Sequence, residues 1–116
     1  MKTVNIYITT DMKGFKGNGS YKIMLECEGY TKEINRAVGN VTNRQIEIKA
    51  LIEAVKSIKY TCLLKLHTES FYLNNAILGK TILCWKNREW KTTKNTDIKN
   101  KELWQELYLE LSRHLW

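Results

Sequence analysis

Between residues 42 and 58 the apolar pattern of this 116-residue chain changes period, and that switch limits what the chain can become. Thr42 stands three residues before Gln45, the spacing of a capping box, and Ile46, Ala50, Leu51, Ala54, Val55 and Ile58 then recur at helical intervals. The helix is expected over 43–58. Upstream the period is two. Val4, Ile6 and Ile8 alternate with Asn5, Tyr7 and Thr9 over residues 3–10, and two more strands, 20–28 and 30–37, meet at a tight turn on Gly29. The segment from Lys13 to Gly19 holds three glycines and reads as a turn. Downstream come a short apolar strand over 60–68, a helix over 70–78 ended by Gly79, and a third short helix running through Cys84 to Asn87. A polar loop over 88–99 then leads to a last amphipathic helix, capped by Asn100 and carrying Leu103, Trp104, Leu107, Leu109, Leu111 and Trp116. Three strands, a helix, a strand and three helices predict an α/β layout, a mixed sheet with helices packed over one face.

An apolar content of 43% with 10% aromatics supports one packed domain over 1–116 and excludes a disordered, fibrous or disulfide-dependent chain. The chain has no proline, and no repeat or low-complexity stretch marks a second domain. No apolar run approaches the ~20 residues of a membrane span, and the start of the chain lacks the apolar stretch of a signal peptide, so a cytoplasmic address is expected. Cys27, Cys62 and Cys84 are widely spaced, and only His67 and His114 could help them hold zinc; they read as reduced, packed thiols.

Nineteen Lys and Arg against twelve Asp and Glu give a net charge of +7, which suits a polyanion such as nucleic acid or a membrane surface. The excess is local. Lys80, Lys86, Arg88, Lys91, Lys94, Lys99 and Lys101 are countered only by Glu89 and Asp97, with Trp85 and Trp90 among them. Cations there suit a phosphate backbone, while the indoles contact it or anchor the loop to the core.

Three acids occupy comparable places. Asp11 ends the first strand, Glu47 lies in the first turn of the long helix and Glu69 ends the fourth strand. If strands one and four pair in parallel, a right-handed crossover lays that helix on the sheet and brings both strand ends near it. Three converging carboxylates need a counter-cation, and hard oxygen ligands favour Mg²⁺ or Mn²⁺ over zinc. Metal-assisted phosphodiester hydrolysis follows, with two ions ~4 Å apart holding the attacking water and the leaving oxygen. Each acid also has a plainer reading: Glu47 complements the helix dipole, and acids at strand ends begin solvated loops.

Taken in order, these segments resemble ribonuclease HI. The stretch Thr42-Asn43-Arg44-Gln45-Ile46-Glu47-Ile48-Lys49-Ala50 is similar to the family's Thr-Asn-x-x-x-Glu-aliphatic-x-Ala, and Thr68-Glu69-Ser70-Phe71-Tyr72 to its Thr-Asp-Ser-x-Tyr. The stretch from Trp85 to Thr92, with Lys99-Asn100 and Leu103-Trp104-Gln105 after it, resembles the basic protrusion and the helix that follows it. The resemblance implies hydrolysis of the RNA strand of an RNA–DNA hybrid, with Asp11, Glu47 and Glu69 holding Mg²⁺ or Mn²⁺. It places Asn43, Arg44 and Asn75 against the hybrid, together with Trp85, Lys86, Arg88, Trp90, Lys91, Lys94 and Lys99 of the protrusion. Nucleic acid, and no membrane, is then the partner.

The departures from the family are specific. Its first strand reads Tyr-Thr-Asp-Gly, whereas Tyr7-Ile8-Thr9-Thr10-Asp11-Met12 carries the acid two residues later, about 6 to 7 Å along the strand, unless a bulge re-aims it. Glu69 stands for an Asp and is one methylene longer. The family continues past its last helix into a fifth strand, a His-containing loop and a helix with a fourth acid, while this sequence stops at Trp116. His114 reads as a solvated histidine near a helix C-terminus. The resemblance implies the strand order 3-2-1-4, with residues 60–68 at an open edge that invites a homodimer or completion by another chain. The alternative to an enzyme is a catalytically degenerate nucleic-acid-binding module on the same fold.

Overall fold

The computed structural model describes residues 1–116. Strands β1 (Thr3–Met12), β2 (Lys16–Cys27), β3 (Tyr30–Thr42) and β4 (Leu63–His67) form one sheet in the order β3-β2-β1-β4. β1 runs antiparallel to β2 and parallel to β4, and β2 runs antiparallel to β3. The expected order holds. Helix α1 (Asn43–Lys56) makes the crossover between β3 and β4; α2 (Phe71–Ile77), α3 (Thr81–Asn87) and α4 (Lys101–Leu111) follow.

Alternation along the strands makes two unlike faces. Val4, Ile6 and Ile8 of β1, Tyr21, Ile23 and Leu25 of β2, and Leu64 and Leu66 of β4 are buried on the α1 side. The other face carries polar cross-strand pairs, Asn5 with Glu26 at 2.8 Å and Lys22 with Glu33 at 2.9 Å. The α1 start is the predicted capping box: Thr42 Oγ1 accepts from Gln45 N–H at 3.2 Å while Gln45 Oε1 accepts from Thr42 N–H at 2.9 Å. Its buried set, Ile46, Ile48, Ala50, Leu51, Ile52, Ala54 and Val55, is broader than one stripe because α4 packs against the helix as well as the sheet. A polar clamp fixes α1 over β2 and β3, with Tyr21 Oη donating to Glu53 and Arg36 Nε and Nη2 donating to the same carboxylate at 2.9 and 2.8 Å.

The hairpin turn at Glu28 and Gly29 has φ of 53° and 86°, as a two-residue type I′ connection requires. Elsewhere the boundaries differ from expectation. β2 begins at Lys16 and β3 continues to Thr42, because Gly17 and Gly19, which read as turn residues, pair with Val41 and Val38 across a register shift. Glycine is needed at 19: a Cβ there would lie 2.9 Å from the Asp11 carbonyl oxygen. Asn100 precedes α4 with φ of 62°, and its side chain makes no cap bond; its Oδ1 instead accepts from Gln45 Nε2 at 3.4 Å.

The C-terminal segment corrects two expectations. α4 ends at Leu111, and the chain turns back along β4, with Leu64 N–H donating to Leu115 O at 2.8 Å and Leu115 N–H to Cys62 O at 3.0 Å. The outer edge of β4 is therefore engaged at its start, which removes the argument for a homodimer or a completing chain through residues 60–68. His114 is buried rather than solvated, its Nδ1 accepting from Cys62 N–H at 3.1 Å and its Nε2 without a partner. Burial first, and then the neighbouring Arg113 charge, push its pKa below the ordinary histidine range.

Candidate active site and nucleic-acid interface

Parallel pairing of β1 with β4 brings the two strand ends together, and α1 passes beside them. A cleft of about 830 Å³ opens there, bordered by Tyr7, Thr9 and Thr10 of β1, Glu47 of α1, and the run from Leu66 to Ser70. Glu47 and Glu69 share this cleft. Glu47 is the fifth residue of α1, and no acid occupies the first turn, so the helix dipole is a weak reason for a carboxylate at that position. Ser70 Oγ donates to Glu47 Oε2 at 2.7 Å and accepts from Leu73 N–H at 3.1 Å, so one hydroxyl caps α2 and orients the acid.

Asp11 does not join them. β1 pairs with β2 without a bulge from Asn5 opposite Glu26 to Met12 opposite Gly19, so nothing re-aims the acid. Asp11 is exposed and borders an adjoining depression with Ser20, Lys22, Asn35 and Arg36, which meets the cleft only at Thr9 and Thr10. Thr9, two residues earlier on the same face, borders the cleft instead. No three acidic, histidine or cysteine side chains lie close enough together to hold one metal ion among them. Of the three acids expected to form one centre with two ions, Glu47 and Glu69 border one cleft with hydroxyl neighbours and Asp11 lies outside it. That donor set fits one hard divalent cation, because Mg²⁺ uses one or two carboxylates and completes its shell with water and substrate phosphate.

The basic segment divides its charges. Lys91 Nζ lies 2.7 Å from Asp97 and Lys101 Nζ 3.5 Å from the same oxygen, and the Lys91 hydrogen bond chiefly holds that carboxyl below its ordinary range. Lys91 is therefore engaged, whereas Lys86, Arg88, Lys94 and Lys99 are exposed and outside every ion pair. The two indoles are half-buried supports: Trp85 packs on Trp104 at 5.1 Å between ring centroids and Trp90 meets Tyr108 edge-on at 5.9 Å. Trp104 Nε1 donates to Tyr72 Oη at 3.0 Å, and the Arg44 guanidinium sits 4.2 Å over the Tyr72 ring, which ties the start of α1 to this cluster. Asn43 is exposed beside the β1–β2 turn, its N–H donating to Phe15 O at 3.3 Å. Asn75 is also exposed but does not border the cleft; Asn74 does, held by Nδ2 donating to Thr68 O at 2.9 Å.

The RNase H family profile matches residues 1–115. The chain belongs to the ribonuclease H family. A ribonuclease H of Actinobacillus pleuropneumoniae is 36% identical over 114 residues, which are 98% of this chain and 74% of that relative. Among solved structures, LC9-RNase H1, a type 1 RNase H with the type 2 active-site motif, superposes with a TM-score of 0.76 at 22% identity, covering 97% of this chain and 59% of that one. LC11-RNase H1, solved with an RNA/DNA hybrid, gives 0.70 at 16% identity over 97% of this chain and 81% of that one. These matches confirm the ribonuclease H fold. Residues that sequence reasoning missed are Thr9, His67, Ser70 and Asn74 around the cleft. The parallel β1–β4 register, which sets Tyr7 opposite His67, is the signal that finds His67.

Proposed function

We propose that this chain hydrolyses the RNA strand of an RNA–DNA hybrid, using Glu47 and Glu69 as its acidic pair. The observation that carries the reading is their shared cleft, with Ser70 bonded to Glu47, in a member of the ribonuclease H family. The two carboxylates would hold one Mg²⁺ or Mn²⁺, with Thr9, Thr10 and Ser70 as polar neighbours. When bound, such an ion lowers the pKa of its water and offsets charge on the phosphate. Ser70 keeps Glu47 in one orientation, so less ordering remains for the moment of reaction. Lys86, Arg88, Lys94 and Lys99 attract the backbone, and Asn43 offers a short polar group to the ribose edge of a shallow minor groove. The three free thiols suit the reducing cytosol proposed as its compartment.

Cleavage of a labelled hybrid with Mg²⁺ and with Mn²⁺, wild type against Glu47→Gln, tests this. The expected result is product from the wild type and at least a hundredfold less from the variant. A second reading, a binding module without turnover, is favoured by Thr9 at the place of the first-strand acid. Tight hybrid binding with no product in either metal would establish that reading instead.

A further inference from the structure

On the face of the sheet away from α1 one exposed side chain, His67, is held by two contacts at once. His67 stacks on Tyr7 with ring centroids 4.5 Å apart and 14° between planes, which fixes its ring plane. Its Nε2 lies 2.8 Å from Asn5 Oδ1, which fixes its rotation. Asn5 is oriented in turn, because its Nδ2 donates to Glu26 Oε1 at 2.8 Å, and Glu26 Oε2 accepts from Gly29 N–H at 3.0 Å. The Gly29 bond, and then the Asn5 bond, hold the Glu26 carboxyl below its ordinary range, so it acts as an acceptor only.

The direction of every bond in this chain follows. An ionised carboxylate takes the Asn5 amide hydrogens, so the amide oxygen must face His67, and that oxygen can only accept. Nε2 is consequently the donor in that bond, and in the tautomer it selects Nδ1 is an acceptor that bonds nothing within the chain. His67 borders the same cleft as Glu47 and Glu69. A nucleic-acid backbone presents acceptors almost everywhere; its one donor is the ribose 2′-hydroxyl, which DNA lacks.

We infer that His67 accepts a hydrogen bond from a ribose 2′-hydroxyl of the RNA strand, with Asn5 and Glu26 as the positioning residues that set its acceptor. This makes His67 a specificity determinant for RNA over DNA, and it rests on the reading of the cleft as the hybrid site.

The test is binding, measured by fluorescence anisotropy in Mg²⁺, of an RNA–DNA hybrid and of a DNA duplex with the same sequence. Glu69→Gln serves as the parent chain so that the RNA strand stays intact. The parent prefers the hybrid. Adding His67→Gln, whose amide reaches Asn5 but offers no acceptor at the δ position, lowers that preference about tenfold and leaves DNA affinity unchanged. His67→Asn, which restores an oxygen near the Nδ1 position, recovers preference to within about threefold of the parent. Glu26→Gln, which frees the Asn5 amide to reverse, lowers preference severalfold although it touches neither cleft nor nucleic acid. Full preference retained in His67→Gln, or hybrid and DNA affinity falling together, overturns the inference alone. Equal binding of both duplexes by the parent overturns the hybrid reading of the cleft with it.

Discussion

Ser70 Oγ donates to Glu47 Oε2 at 2.7 Å, and the same hydroxyl accepts the Leu73 N–H at the start of α2. One side chain thus serves both helix stability and acid placement, and Ser70→Ala separates the two. Loss of the cap is expected to cost about 1 kcal/mol in urea denaturation. The hybrid cleavage rate should fall about tenfold or more, beyond anything so small a stability change explains, because Glu47 is then free to rotate.

Thr9 offers a gain of function. It borders the cleft of Glu47 and Glu69, whereas Asp11 lies two residues further on and faces Lys22 and Arg36. Thr9→Asp is expected to raise Mg²⁺ affinity about tenfold or more by calorimetric titration and to speed hybrid cleavage, since a third carboxylate then faces the same space. Asp11→Asn should alter neither quantity; a large loss of metal binding in that variant would return Asp11 to the site.

How much of the molecule is legible in its sequence depends on range. The capping box at Thr42 and Gln45 is a local signal, and the structure matches it bond for bond. The α/β layout follows from the succession of patterns, whereas the strand order, which the structure matches, rests on the family resemblance. Asp11 is misleading because its relation to Glu47 depends on whether β1 bulges, and nothing in residues 7–12 announces a regular ladder. Gly17 and Gly19 hide the start of β2, since glycine in a strand is visible only through the neighbour it lets approach. His114 reads as solvated only while α4 is taken to run on; the helix stops at Leu111, and the pairing of Leu115 with β4 draws the ring inside.

His114 should mark the acid limb of stability. Its pKa is depressed in the folded chain, so the unfolded chain binds more protons below about pH 6.5, and the contribution present above that value is lost as pH falls. Urea midpoints for the wild type are expected to drop between about pH 7 and 5 more steeply than those for His114→Asn, which retains an acceptor for Cys62 N–H. Parallel curves would remove His114 from the acid response.

Tyr21 should mark the alkaline limb. Burial first, then the hydrogen bond to Glu53, raise its phenol far above the usual value. The folded chain retains that proton after the unfolded chain has released it, so stability is complete below about pH 10 and declines above it. Tyr21→Phe is expected to be less stable at pH 8 but to show a flatter decline from pH 9.5 to 11.5 by guanidinium denaturation.

The free cations of the basic loop predict a salt slope. Replacing Lys86 and Arg88 together by Gln should reduce the dependence of log affinity on log salt by about 2 for a duplex, one unit for each phosphate no longer neutralised. Trp90→Ala should instead lower the melting temperature, because that ring supports the loop from Tyr108. An unchanged slope would move the phosphate track elsewhere on the surface.

The face of the sheet away from α1 is dressed by partners that already satisfy one another, Lys22 with Glu33 and Asn5 with Glu26. Those pairs tie β1 to β2 and β2 to β3 through side chains as well as through the backbone ladder, so a slip of one residue along either seam would part them and turn Ile6 and Ile23 out of the core.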